Sequence, residues 1–320
     1  MEQLRQDDPR WIGPYAVLAG IDEEHERQRT PDRRFVARSA DGWRTVLVHV
    51  PRTETDPARW AAEAEHARGL SVPGFAPVTE VASSALPPWY AAPYVPVLPL
   101  PAALAIHGGP LPETVVRDLG AALASALATA HAQGVTHAGL APAAVLLSAD
   151  GPLLTCFGAV RAVAPDGERR LGRPGLDPGC LAPEQAQGGR PRPLGDVYAL
   201  GAVLSYASTG HTVPEREELP TSLREPITAC LARDAAHRPS AAELAADLAA
   251  PTLQPQAPQL QPQAPPLQPH TPPRSPAPVP TVLDGRPFPL PARIVAALAR
   301  QSAAVLVARP AADPQQVGRS

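Results

Sequence analysis

The sequence predicts an α+β fold in which a small strand-rich unit leads and a larger helical unit follows, and three observations predict it. β-Branched alternation marks the first fifty residues, a valine and leucine stripe at helical spacing runs from Val115 to Leu127, and proline crowds the stretch Pro251 to Pro280. With 44% apolar residues in 320, the chain has enough material for a sizeable core. These features set a globular part at about residues 10–250, a proline-rich spacer at 251–283 and a short helical tail at 284–320.

Each element has its own signal. Trp11 to Val50 reads as strands, with "RTVLVHV" alternating at Thr45, Val46, Val48 and Val50 after the turn "SADG". In "DPARWAAEAEHARGL", Asp56 supplies a cap and Pro57 a first helical residue, ahead of alanine, glutamate and arginine. After the proline-broken apolar run "PWYAAPYVPVLPLPAAL", Val115, Leu119, Leu123 and Leu127 recur every four positions and form the core face of a long helix. Two short strands, "AAVLLS" and "PLLTCFG", flank the turn "ADGP"; a loop to about Leu181 and helices at "GDVYALGAVLSYASTG", "SLREPITACLARD" and "SAAELAADLAA" complete the helical unit.

Composition excludes several classes of function. A formal net charge of -3 gives no positive field to hold nucleic acid. Cys156, Cys180 and Cys230 lie far apart, without metal-ligand spacing, as suits a reducing compartment. The polar, acidic start "MEQLRQDDPRWIGPY" lacks the basic and then apolar pattern of an export signal, and no uninterrupted apolar run is long enough to span a bilayer. A cytoplasmic location is the expectation. The chain contains neither lysine nor asparagine, so all its side-chain cations other than histidine are arginine.

Four motifs in order resemble those of the bacterial, eukaryotic-like serine/threonine protein kinases, from about Ile12 to Leu248. "VLVH" stands where the family has V-A-I-K, "HAGLAPAAVLL" where it has H-R-D-L-x-x-x-N, "CFG" for D-F-G, and "LAPE" for A-P-E. The resemblance implies a bilobal protein-kinase-like fold. It also implies structural roles for Glu63 in the small-lobe helix, for His137, Phe157 and Gly158, for Asp196 in a central helix, and for a Glu184 to Arg238 pair, with Glu184 buried.

The departures fall on the chemistry. The lysine that grips the nucleotide phosphates is His49, and the aspartate that accepts the substrate proton is Gly139. The asparagine and aspartate that hold magnesium are Ala144 and Cys156. Because lysine and asparagine occur nowhere, no shift of register restores them. The glycine-rich lid is replaced by "GIDEEHERQRTPDRRF", whose side chains and acids oppose a phosphate, and the loop from Ala159 to Pro183 has no serine, threonine or tyrosine to phosphorylate. The expected function is therefore that of a catalytically inactive regulator or scaffold, a pseudokinase that binds protein partners. No metal and no cofactor are expected, and weak, metal-independent ATP binding stays open. The alternative is a nucleotide-dependent transferase working through other acids, such as Asp150 or Asp166.

The remaining residues carry plainer readings. His137 and Cys156 read as core, and Arg33 and Arg34 as solvated charge. His49 and Glu63 either form a substitute ion pair or stand independently. The PxxP spacings near residue 260 read as a spacer. In the tail 291–309, Ile294, Leu298 and Val305 share one helical face, flanked by Val295 and Leu306, and Arg293, Arg300 and Arg309 make the helix cationic. Such a helix is expected on a partner or a neighbouring copy, ahead of its own lobe or an anionic membrane surface.

Overall fold

Side chains of period two need a partner on each face of their sheet, and the N-terminal strands have both. In the computed structural model, which describes residues 3–22, 30–250 and 288–308, they are β1 (Trp11–Ile12), β2 (Tyr15–Gly20), β3 (Asp32–Ser39), β4 (Thr45–Pro51), β5 (Glu80–Ala82) and β6 (Trp89–Pro93). They form an antiparallel sheet in the order β1-β2-β3-β4-β6-β5. Register sets Phe35 opposite Val48 and Ala37 opposite Val46, and these pack with Tyr15, Val17 and Trp89 into a core on one face. The residues between them, Arg34 opposite His49 and Val36 opposite Leu47, belong to the other face. Between β4 and β5 runs α1 (Pro57–Arg68), where the Asp56 carboxylate accepts from the Ala58 and Arg59 amides. Trp60, Ala61 and Ala64 set α1 against Tyr90.

The second lobe starts within the proline-broken run, which holds β6, then β7 (Leu98–Pro99) and α2 (Leu100–His107). Pro101 sits in the first turn of α2, where its missing N–H costs no helical bond. The four-residue stripe is the core face of α3 (Glu113–Ala132), and β8 (Val145–Ser148) pairs with both β7 and β9 (Gly151–Leu154) in a small sheet. There follow α4 (Ala159–Val163), α5 (Pro183–Ala186), α6 (Pro193–Thr209), α7 (Thr221–Cys230) and α8 (Ala241–Ala249). Helix α6 is buried along Val197, Leu200, Val203 and Leu204 and is the centre of the lobe. Gly120 lets α3 meet α6 and α8, since a Cβ there would stand 2.7 Å from Leu248 Cδ1.

The tail helix, α9 (Ala292–Val307), overturns one expectation. Its apolar stripe docks on its own domain: Ile294, Ala297 and Leu298 join the core of the helical lobe, and Val305 joins Val36, Leu47 and Leu146 between the lobes. Arg293 donates to the His107 carbonyl and Arg38 to those of Val305 and Ala308. The physical reason is tethering: a spacer long enough to hold a helix away also keeps it at high effective concentration beside a matching apolar face. The spacer at 251–283 lies outside the described residues, as do Arg309 and residues 23–29 of the lid, with Glu23, Glu24 and Glu26. No helix among the described residues is long and apolar enough to cross a membrane.

Arg238 and Glu184 meet in a two-pronged pair at 2.7 and 2.9 Å, but the expected burial of Glu184 is corrected: its side chain is 39% exposed while that of Arg238 is buried. Burial alone would raise the Glu184 carboxyl; the Arg238 hydrogen bonds outweigh it and hold it below the usual range. The guanidinium also donates to the carbonyls of Ala232, Leu194 and Arg233 and lies over the Tyr198 ring. Arg238→Ala strips partners from three carbonyls and should cost about 3 kcal/mol, whereas Glu184→Gln leaves them satisfied and should cost about 1 kcal/mol. Urea unfolding of the two variants measures the difference, and equal losses would contradict it.

Candidate functional site

The chain's own polar side chains reach into the cleft between the lobes. Arg34 leaves β3 on the cleft face and is wholly buried. Its Nε donates to Asp22 Oδ1 and Oδ2 at 2.9 and 3.1 Å, Nη2 also bonds Asp22, and Nη1 reaches into the second lobe, to the Ala143 carbonyl at 2.8 Å and Thr155 Oγ1 at 3.4 Å. Alternation along the strand explains why its neighbour differs: Arg33 points the other way, to Asp8 and over the Phe35 ring. The solvated reading of the arginine pair therefore fails for Arg34. A buried guanidinium needs a carboxylate, and Asp22 provides it.

His49 takes part in the same network. Its Nδ1 lies 2.8 Å from Asp32 Oδ2 and 2.8 Å from the Tyr90 hydroxyl, and the imidazole stacks on the Tyr90 ring at 4.2 Å. Burial opposes ionisation of Asp32, yet the charge and hydrogen bond of His49, with Arg34 and Arg52 behind them, hold its carboxyl below the usual range. Glu63 does not pair with His49. It accepts from Arg161 Nε and Nη2 at 2.8 and 2.7 Å, which ties α1 to the segment after "CFG" instead of to β4. The reason is chain reach: Asp32 lies close enough to engage the short imidazole, while Arg161 brings a two-pronged partner to the carboxylate.

At Gly139 there is no room for a side chain. A Cβ would stand 2.0 Å from the Cys156 carbonyl oxygen and 3.0 Å from Ala159 Cβ, because Gly158 N donates to the His137 carbonyl and Val160 N to that of Ala138, drawing the two segments together. The crevice that Gly139, Ala144 and Cys156 help to line has a volume of about 20 Å³, room for roughly one water molecule. Burial pushes the Cys156 thiol far up, so it is an inert core group, with a weak contact to Asp32 at 3.7 Å. Among the described residues no group of three histidine, cysteine or acidic side chains is placed to hold a metal. Asp166 accepts from Arg170 at 2.8 Å, and Asp150 lies between β8 and β9.

The frame around this site is well ordered by contacts. Asp196 accepts from the amides of His137 and Ala138 at 2.8 Å each and from His131 at 3.0 Å. His137 meets Phe75 and Phe157 edge to face at 5.1 and 6.0 Å, and Gly158, at φ 74°, makes room for Glu63. The loop without phosphate acceptors is stapled from within: Arg170, fully buried, donates to the Ala164 and Gly189 carbonyls at 3.2 and 2.7 Å. Sequence reading missed Arg170, Asp22, Asp32, Tyr90 and Arg161. The available signal was the spacing of Arg34 on β3, two residues before the apolar Val36 of the same face.

Comparison with known proteins places this arrangement. Over 275 residues the chain is 34% identical to the serine/threonine-protein kinase AfsK of Streptomyces coelicolor, covering 78% of this chain and 33% of that protein. It is 35% identical over 273 residues to the probable serine/threonine-protein kinase PkwA of Thermomonospora curvata, covering 78% and 35%. The chain thus spans about a third of the length of these relatives. The crystal structure of the Mycobacterium tuberculosis PknI kinase domain superposes with a TM-score of 0.54 at 21% identity, over 73% of this chain and 94% of that one, a likeness of fold. No protein-family profile matches the chain.

Burial pushes His137 down to about 4. The unfolded chain takes up this proton near pH 6.5 and the native state refuses it until about pH 4, so stability is lost as pH falls through that window, by about 3 kcal/mol in full. His137→Leu is expected to flatten the stability profile between these limits. Parallel profiles for variant and parent, followed by urea midpoints at a series of pH values, would contradict the assignment.

Proposed function

Because the chain belongs to the bacterial serine/threonine protein-kinase-like family, we propose that it keeps the fold without phosphoryl transfer and acts as a regulatory or scaffolding protein that binds protein partners. One observation carries the reading. At the position matching the family's proton-accepting aspartate, Gly139 has the Cys156 carbonyl 2.0 Å from where a Cβ would stand. The site lacks a general base and also the space for one. Support comes from a sequence without lysine or asparagine, which removes the phosphate grip and one metal ligand, and from Cys156 in place of the other ligand. The network of Arg34, Asp22, Asp32 and His49 supports it further, since it satisfies the cleft's polar groups without a nucleotide.

The test is transfer itself. Full-length protein incubated with magnesium or manganese and γ-labelled ATP, with and without generic protein acceptors, is expected to incorporate no label above a protein-free blank. Gly139→Asp is expected to gain no activity and to melt at a lower temperature, because its side chain collides with backbone. Label incorporation that follows the protein through chromatography and disappears in Asp32→Ala would overturn the proposal.

A further inference from the structure

Helix α9 reaches the end of the cleft opposite its polar network. His49, Ala144 and Cys156 mark where a kinase's phosphates and metal lie, and the sheet face that carries His49 continues away from them. The next cleft-facing residues along the β3-β4 ladder are Val36 and Leu47. They line an apolar slot closed by Ile21, Ala92 and Leu146, and Val305 of α9 fills it. Arg38, two residues further along β3, donates to the Val305 and Ala308 carbonyls, the favourable end of the helix for a cation. One helix therefore touches both lobes, through Val305 in the slot and through Ile294 and Leu298 in the core of the helical lobe.

We propose that α9 is a releasable plug, supplied by the chain itself, for the base end of the cleft, and that it holds the two lobes closed in place of a nucleotide. The proposal rests on the reading above that the cleft no longer serves transfer. Release is built into the contact. Gln301 lies on the buried face between Leu298 and Val305, and neither atom of its amide has a hydrogen-bond partner among the described residues. An unpaired buried amide weakens a contact that an apolar residue would strengthen. At 16 residues the helix is also marginal in water once undocked, so release favours its unfolding.

Hydrogen exchange on the full chain tests this. Val305→Asp puts a charge in the slot and is expected to speed exchange across 292–307 at least tenfold, with a smaller rise in β3 and β4 and none in α3 or α6. Leu306→Asp, at a position 77% exposed, should match the parent, and Gln301→Leu should slow exchange in α9. Should Val305→Asp fail to fold, Arg38→Ala removes only the grip on the end of the helix and is expected to speed exchange in its last turn. Unchanged exchange of α9 in a folded Val305→Asp, or in Arg38→Ala, overturns the plug. Phosphoryl transfer gained by Val305→Asp would instead overturn the loss of catalysis and leave the plug standing.

Discussion

The closed arrangement of the two lobes depends on one buried charge, the Arg34 guanidinium. A cation removed from water is tolerated only beside an anion and with its donors satisfied. Asp22 supplies the anion within the first lobe, and the Ala143 carbonyl and Thr155 hydroxyl supply acceptors across the cleft. The requirement fixes the distance between the lobes at hydrogen-bond length. It also bears on the position opposite Arg34 in the ladder, which is His49. There the imidazole joins Asp32 and Tyr90 in the same network. The buried guanidinium thus stands on β3, beside the strand that carries His49.

The rest of the site follows from that closure. With β3 joined to the residue before Ala144 and to the residue before Cys156, the "CFG" segment lies against the backbone at Gly139, and the crevice shrinks to about 20 Å³. Glu63, without a partner on β4, is tied to Arg161, so α1 is held by the segment that follows "CFG". Beside these residues a cavity of about 330 Å³ remains between α1 and the strands, lined by Asp32, His49 and Cys156 together with Trp60, Tyr90 and Phe157. At the other end α9 closes the slot, with Arg38 at its terminus. The loop that phosphate orders in kinases is held here by Arg170, whose donors meet carbonyls of the loop and of the turn after α5.

Much of this architecture was legible because it depends on local chemistry. The Asp56 cap, the stripe from Val115 to Leu127 and the alternation of β4 each follow from residue type and spacing, and the family motifs placed Asp196 and Arg238. The site was legible in what it lacks, since composition alone removes lysine and asparagine. It was not legible in what fills it. Arg33 and Arg34 are adjacent and chemically identical, and only the strand's alternation, with an anion twelve residues away, separates the half-buried one from the wholly buried one. The exposure of Glu184 depends on how α5 sits at the surface, and the docking of α9 depends on a matching face assembled from both lobes. These are tertiary facts without a local signal.

The most direct measurement is a thermal-shift titration of the full chain with ATP, with and without magnesium. A ligand that binds only the native state raises its melting temperature by mass action. If Arg34 and its partners occupy the cleft in place of nucleotide and metal, the melting temperature stays constant over millimolar ATP and magnesium makes no difference. A saturable rise that requires magnesium would contradict the account, because it would mean that the cleft opens to seat both phosphate and metal.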